Sequence, residues 1–310
     1  MAMDEPCAVH DIRRVVILGN TGFIGRRLEA HFRARLPEMK LAGRSMPEID
    51  LTVEGDVCSL QKLLDRHTVL LMLAGIKRQV GDTQEAFSQN VKMAENLCCA
   101  LQDHPVARFV YFSSAAVYGE DIHNTHIREE TPVHPTSYYG IAKYTSECLF
   151  RKMLSRQSNS WLVLRPVTVY GPGEPSGSYG PSGFLKAALN GEAITLWGDG
   201  REQREFIFID DLIDLTFRLT FHEYCGVLNI ASGTSHSFLD VLEVISRLGY
   251  GRIQVASKPR TKNKVDHMFS NNALKKLFPA FTFTTLDQGI RRTFEDEFQQ
   301  ASLHPEKVAG

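Results

Sequence analysis

The chain has 310 residues, 43% of them hydrophobic and 23% charged, with a formal net charge of -1. That length suits one large α/β domain with a smaller appendage better than two large domains. The balanced charge supplies no basic field for nucleic acid or an anionic membrane surface, and no apolar run approaches the roughly 20 residues of a membrane-spanning helix.

The chain opens with "MAMDEPCAVHDIRR", which carries acids where a secretory signal would be basic and then apolar. The six cysteines (Cys7, Cys58, Cys98, Cys99, Cys148, Cys225) show no CxxC pair and no His-linked metal spacing. They read as reduced core residues of a cytoplasmic protein, with Cys98 and Cys99 as packing residues of a helix. Next, "RRVVILG" reads as a buried strand closed by a glycine-rich turn. "FIGRRLEAHFRARL" follows, with Ile24, Leu28, Phe32 and Leu36 four apart on one helix face. "EMKLAG" reads as a second strand, and "HTVLLMLAG", "ARFVYFSS" and "SWLVLRP" as further strands of near-continuous apolar character. Helical patterns lie between them near 83–103 and 136–156. Strand–helix alternation with strands apolar on both faces predicts a parallel sheet covered by helices.

After Arg165 the pattern changes. "PVTVYGPGEPSGSYGPSG" is rich in Gly, Pro and Ser and reads as loop. A helix at "FLKAALNG", a short strand, "REFIFIDDLIDLTFRLTF" and a core strand at "GVLNIAS" come next. Residues from about 233 mix helices with short strands. The expected organisation is therefore interleaved. Residues 11–168 plus about 206–232 form the first domain, about 169–205 plus 233–300 the second, and 301–310 a frayed tail.

The turn "GNTGFIG" places Gly19, Gly22 and Gly25 between a strand and a helix. One glycine permits a tight turn, one lets backbone approach a pyrophosphate, and one lets the helix pack close to the sheet. The helix N-terminus then offers N–H groups and a positive dipole end to the phosphates. An NAD site of this kind usually has an acid at the end of the second strand. Here the strand ends "LAGRS", with Arg44 at that position. An arginine there can pair with a 2′-phosphate, which favours NADP over NAD.

Tyr139 and Lys143 stand four apart in "TSYYGIAK" and share a helix face, while Tyr138 points about 100° away. A tyrosine that acts as a base at neutral pH must ionise about a thousandfold more readily than a free one, about 4 kcal/mol. A lysine ammonium and a nicotinamide cation nearby would both favour the phenolate.

At this point the sequence resembles the extended short-chain dehydrogenase/reductases, in the NAD-dependent epimerase/dehydratase branch. The motifs that carry the resemblance are "GNTGFIG", "GDV" (55–57), "LAG" (73–75), Asn90, "FSSAAVYG", "PTSYYGIAK", "RPVTVYGPG", "GDGREQREFIFIDDL" and "LNIASG", in order over nearly the whole chain. The resemblance implies an α/β fold: a Rossmann-type doubly wound parallel sheet for the dinucleotide, with a smaller, interleaved C-terminal domain for a nucleotide-sugar. It implies that Tyr139 is the catalytic acid/base, that Lys143 holds the nicotinamide ribose and lowers the tyrosine's pKa, and that Ser114 is the catalytic hydroxyl. It implies cofactor contacts at Gly19, Gly22, Phe23, Ile24, Gly25, Asp56, Val57, Leu73, Ala74, Gly75, Asn90 and Pro166, with Asp56 and Val57 at the adenine. Ser114, Thr168, Arg204 and Arg260 are its substrate contacts, the two arginines facing the diphosphate. A homodimer joined through the helices at 83–103 and 136–156 is implied too.

Several positions depart from the family pattern. Family dehydratases carry an Asp-Glu pair directly after the catalytic hydroxyl, and here Ala115 and Ala116 stand there. Ala116 also occupies the position of the catalytic cysteine in GDP-fucose synthases. Without those groups 4,6-dehydration and C3/C5 epimerisation lack proton carriers. Thr168 replaces the usual Asn of that motif, and the span between the second strand and Asp56 is short. Chemistry at the sugar C4 remains, as a 4-epimerase or as an NADPH-dependent 4-ketoreductase. A reductase of another carbonyl and a non-catalytic NADP(H)-binding sensor or scaffold are further readings. The histidines at 123, 126 and 134 share a polar loop without metal-site spacing, so no metal is expected.

Overall fold

The computed structural model describes residues 11–155, 160–175, 179–249, 253–260 and 262–303. In chain order its first half gives β1 (Arg14–Leu18), α1 (Phe23–Arg35), β2 (Lys40–Arg44), α2 (Glu54–Cys58), β3 (Thr68–Met72), α3 (Gln84–Asp103), β4 (Arg108–Phe112), β5 (Asn124–Ile127) and α4 (Tyr138–Leu154). The second half gives β6 (Ser160–Pro166), β7 (Thr168–Tyr170), α5 (Pro181–Leu189), β8 (Ile194–Trp197), β9 (Gln203–Phe208), α6 (Ile209–Thr220) and β10 (Gly226–Ile230). It closes with β11 (Ser235–Ser237), α7 (Phe238–Arg247), β12 (Val255–Lys258), β13 (His267–Phe269), α8 (Asn272–Leu277) and α9 (Leu286–Leu303).

The apolar runs of the first half become the core of a six-stranded sheet in the order β10-β6-β4-β3-β1-β2. The pairings from β2 through β1, β3 and β4 to β6 are parallel. Val69, Leu70 and Leu71 have no exposed surface, because a strand apolar on both faces is stable only with a helical layer on each. Leu70, Phe109 and Tyr111 from the sheet pack with Ala94, Leu97 and Leu101 of α3 and with Phe150 and Leu154 of α4. Each fully buried Leu or Phe here stabilises the fold by about 2 kcal/mol. The predicted Rossmann-type doubly wound sheet is thus the one observed.

Two features of the sheet bear on function. β1 lies between β2 and β3, so the winding reverses at β1, and such switch points open a crevice at the carboxyl ends of the strands. The glycine turn leaves β1 there, and residues 73–76 leave β3. The short span after the second strand also has a structural counterpart. Between β2 and β3 the chain makes only α2 and a 3-10 turn at Ser59–Leu63, so β2 is the sheet's edge.

The chain divides into two compact units. The first comprises residues up to Glu120, Pro132–Arg165 and Ile213–Leu228; the second comprises Asp121–Thr131, Pro166–Leu212 and the residues from Asn229 on. In the first, buried Arg108 donates to the carbonyls of Leu219 and Tyr224 at 3.1 and 2.8 Å and to the Ser160 hydroxyl. In the second, three small sheets (β11-β9-β7, β12-β8 and β13-β5) accompany the helices. There Tyr179, Phe184, Phe206 and Phe238 form an aromatic cluster with ring centroids 4.5 to 6.0 Å apart. Among the described residues no helix is long and apolar enough to cross a membrane.

The structure corrects two expectations. Helix α9 runs to Leu303, so the expected tail begins inside a helix, and the rest of 301–310 lies outside the described residues. The cysteines are free but are not all core residues: Cys58 and Cys99 are exposed, and Cys98, Cys148 and Cys225 are half-buried. Helix geometry explains the adjacent pair. Cys98 packs against the core, and one residue later the side chain has rotated about 100° toward solvent. Cys7 lies outside the described residues.

Candidate active site

The glycine turn is built by close backbone approach. Gly19 has φ +89°, and a Cβ there would sit 2.7 Å from the Ala74 nitrogen. A Cβ on Gly25 would sit 2.1 Å from the Gly19 carbonyl oxygen, so α1 can leave the turn at this angle only with glycine. The backbone N–H groups of Leu73 and Ala74 both donate to the Leu18 carbonyl, at 2.9 and 3.0 Å, and bring the ends of β1 and β3 together. Helix α1 starts at Gly22 with no side-chain cap and no acid in its first turn. Its positive end is thus left for an anion, as a dinucleotide pyrophosphate requires. The Lys77 ammonium adds a cation 6.0 Å from the Phe23 ring centroid.

A polar brace beside this turn was not read from the sequence. The Asn20 amide donates to Glu29 at 2.8 Å, its carbonyl accepts from the Ser45 hydroxyl at 2.8 Å, and Ser45 accepts from the Thr21 N–H at 3.2 Å. A Cβ on Gly43 would lie 2.1 Å from the Asn20 amide nitrogen, so Gly43 makes room for it. The signal in the sequence was the pairing of an Asn in the first turn with a Gly at the end of the second strand. Arg44 lies beside this brace and is half-buried. Its guanidinium donates to the Gly43 carbonyl at 2.7 Å and pairs with Glu48 at 3.3 Å.

Other assigned cofactor contacts have structural duties. Asn90 is buried and spends its amide on Ile76: Oδ1 accepts from the Ile76 N–H at 2.8 Å and Nδ2 donates to its carbonyl at 3.0 Å. That fixes the loop carrying Leu73, Ala74 and Gly75. A Cβ on Gly75 would stand 3.2 Å from Asn90 Oδ1 and 3.4 Å from Lys143 Nζ, so glycine keeps the lysine head open toward this loop. Asp56 and Val57 lie in α2. The Asp56 carboxylate accepts from the Asp50 N–H at 2.9 Å, and the Val57 side chain is buried in the core.

Ser114, Tyr139 and Lys143 all belong to the first unit. Ser137 caps α4 by accepting from the Gly140 N–H at 3.1 Å, which sets the helix phase one residue before the two tyrosines. Asp82 accepts from the Tyr139 N–H at 3.0 Å. The Ser114 hydroxyl lies near enough to the Tyr139 phenol to favour its ionisation, and it accepts from the Ala116 N–H at 3.1 Å. The Lys143 ammonium donates to the Phe112 carbonyl at 2.7 Å and lies 5.0 and 5.8 Å from the ring centroids of Tyr111 and Tyr139. Tyr138 turns away: it is 43% exposed, with its ring centroid 6.5 Å from that of Phe87.

In the chain alone, burial dominates the electrostatics of both groups. Burial pushes the Tyr139 phenol up to about 12, with the Ser114 hydroxyl opposing and Glu120 adding to the rise. Burial pushes the Lys143 ammonium down to about 8, opposed by Glu147. In the chain alone the desolvation of each charged form outweighs its partners, so Tyr139 is a phenol at neutral pH.

Of the assigned substrate contacts Ser114 lies in the first unit, and Thr168, Arg204 and Arg260 lie in the second, as does Pro166, the last residue of β6. Thr168 is exposed at the start of β7. Arg204 on β9 donates to the Gln203 carbonyl at 3.0 Å and to that of Val265. Arg260 pairs with Asp199 at 2.6 Å and with Glu202. Asp121, Arg260, Lys262, Asn263 and Val265 line a cavity of about 550 Å³. Among the described residues no group of three or more His, Cys, Asp or Glu side chains could hold a metal ion.

Comparison with known proteins places this site in context. Residues 15–231 match the NAD dependent epimerase/dehydratase family. The chain is 30% identical over 202 residues to the low-salt glycan biosynthesis protein Agl12 of Haloferax volcanii, a match covering 62% of this chain and 64% of that one. It thus spans under two thirds of that relative's length. It is 27% identical over 239 residues to the uncharacterized UDP-glucose epimerase YtcB of Bacillus subtilis, covering 74% and 72%. In fold it resembles a UDP-glucuronic acid 4-epimerase from Bacillus cereus, solved with UDP-glucuronic acid and NAD, with a TM-score of 0.82 at 20% identity over 93% of this chain and 99% of that one. With over two hundred consecutive residues matched, the chain belongs to the NAD dependent epimerase/dehydratase family.

Proposed function

We propose that the protein is an NAD(P)-dependent nucleotide-sugar oxidoreductase acting at the sugar C4, as a nucleoside-diphosphate-sugar 4-epimerase. The observation that carries this reading is Lys143 one helical turn from Tyr139 on α4, its ammonium 5.8 Å from the Tyr139 ring centroid, with the Ser114 hydroxyl as the group that favours ionisation of the phenol. Relatives in sequence and fold whose names include UDP-sugar epimerases support it. A bound nicotinamide would accept and return hydride at the sugar carbon. Tyr139 exchanges the proton of the C4 oxygen, and Ser114 holds that oxygen against the phenol. Lys143 supplies the positive charge that stabilises the phenolate when the C4 hydroxyl is oxidised. Because Tyr139 begins as a phenol, its use as a base needs this ammonium together with the charge of an oxidised nicotinamide. Ala115 and Ala116 carry no group able to move a second proton, which removes 4,6-dehydration and C3/C5 epimerisation from the reading.

The uncapped start of α1 takes the pyrophosphate, and Ala74 and Gly75 the neighbouring ribose and phosphate. Arg204 and Arg260 take the substrate diphosphate, and Thr168 is a further substrate contact. The faces of α3 and α4 join two copies in a homodimer. Arg44 favours a second reading, an NADPH-dependent 4-keto-sugar reductase, because it stands where an NAD site keeps an acid. Mass and absorbance of the cofactor carried through purification separate the two. Tightly held NAD is the result expected of the epimerase. An empty site that prefers NADPH would replace the epimerase with the reductase.

A further inference from the structure

Helix α4 carries Tyr139, Lys143 and Glu147 at four-residue steps, on one face. Glu147 and Arg165 are each 4% exposed, and Tyr118 is 5% exposed. Arg165 Nε donates to Glu147 Oε1 at 2.9 Å, Nη2 to Oε2 at 2.6 Å, and Nη1 to the Tyr118 phenol oxygen at 2.8 Å. Its guanidinium also lies 4.9 Å from the Tyr118 ring centroid. Tyr118 ends the 3-10 turn Ala115–Tyr118, and that turn begins directly after Ser114. The proton transfer described above makes no use of this bidentate pair. Buried charge is retained at a desolvation cost, so its position directly behind the site calls for a role.

We propose that Glu147, Arg165 and Tyr118 are positioning residues for the Ser114–Tyr139–Lys143 centre: Arg165 ties the serine turn to helix α4, and Glu147 sets a carboxylate one turn behind Lys143. The proposal rests on the catalytic reading of that trio. Three elements are involved. β6 supplies Arg165, the turn after β4 supplies Tyr118, and α4 supplies Glu147, so a shift of any one moves the hydroxyl relative to the phenol.

The groups facing Lys143 are Tyr139 and Glu147 on α4, Tyr111 on β4, and, through Glu147, Arg165 on β6 with Tyr118 beyond it. Glu120 acts on the Tyr139 side. Of these, Glu147 opposes the burial that lowers the ammonium. Glu147→Gln removes that support and leaves the Arg165 charge unneutralised, and both changes lower the ammonium further. Combining it with Arg165→Met removes both charges, and with them the tie to Tyr118.

The test follows the Lys143 side-chain titration by NMR of ¹³C-labelled lysine in the full chain, with the Lys143 signal assigned by its loss in Lys143→Arg. Steady-state pH profiles and thermal melts are run on the same proteins. Glu147→Gln is expected to move the Lys143 titration down by about one pH unit or more, carrying the alkaline limb of kcat with it. The double variant Glu147→Gln/Arg165→Met, which also lacks the Glu147 carboxylate, is expected to keep the titration below wild type, with kcat down by about tenfold or more. Tyr118→Phe should lower kcat without moving the titration. A Glu147→Gln protein that melts cooperatively with its Lys143 titration unmoved would overturn the proposal. A double variant with wild-type kcat would overturn it too, and that arm remains readable if Glu147→Gln alone does not fold. Full activity in Tyr139→Phe would instead remove the catalytic reading, while the NMR titration still reports on Glu147 and Lys143.

Discussion

The two units hold their candidate site cations in opposite ways. In the first, the Lys143 head is fixed by one backbone carbonyl and two aromatic rings, and Gly75 keeps it open toward the cofactor loop. In the second, Arg260 is held by two carboxylates and Arg204 by two backbone carbonyls. The first arrangement is pre-set for chemistry. On the proposed reading, a diphosphate at Arg260 would compete with Asp199 and Glu202. The contrast teaches that one candidate group can be set in place by the fold while others, proposed to meet the substrate, are already engaged elsewhere.

The largest expected effect breaks the contrast at its catalytic side. Tyr139→Phe should lower kcat by about a thousandfold, about 4 kcal/mol, with KM little changed in steady-state assays. Glu205→Gln comes next and probes the second unit. Burial pushes Glu205 up from 4.5 to about 7, opposed by hydrogen bonds from the Gly233 N–H and the Ser232 hydroxyl. A folded-state value above the unfolded one means the folded chain binds the extra proton. Stability should therefore be highest below about pH 4.5 and fall as pH rises to about 7, by about 3 kcal/mol for this group. Gln cannot ionise and keeps the accepting oxygen, so denaturant titrations across that range should be flatter for the variant.

Gly25→Ala sharpens the contrast at the cofactor turn. A Cβ there meets the Gly19 carbonyl at 2.1 Å, and backbone cannot yield as a flexible side chain would. A loss of about 2 kcal/mol and weaker dinucleotide binding should appear in melts with and without cofactor. The smallest effect is expected at Arg44. Arg44→Ala should weaken NADP relative to NAD by about tenfold, read from Kd values for the two. An unchanged ratio would mean that Arg44 serves only Glu48 and the Gly43 carbonyl.

Much of the first unit was legible in the sequence, because its signals are local. A two-sided apolar strand, a glycine turn and a four-residue Tyr–Lys spacing each imply geometry within a few residues. What escaped was long-range. The Asn20–Glu29–Ser45 brace and the Arg165–Glu147–Tyr118 triad join residues from separate elements, and spacing along the chain does not announce them. The rise of the Tyr139 phenol in the chain alone was not legible, because burial, which opposes ionisation, cannot be read from a motif. Val57 reads as an adenine contact by resemblance, yet its side chain is buried in the core, in a stretch where the family pattern is shortened. Arg260 was legible as a cation but not as the partner of Asp199 and Glu202, since 61 and 58 residues separate them in the chain.

The most direct test of the central claim uses nucleoside-diphosphate hexoses deuterated at C4, incubated with the purified protein and NAD or NADP and examined by NMR. The account predicts a C4 epimer that retains its deuterium at C4, formed by the wild-type chain and lost in Tyr139→Phe. Epimer formed equally well by Tyr139→Phe, or deuterium released to solvent, would contradict it.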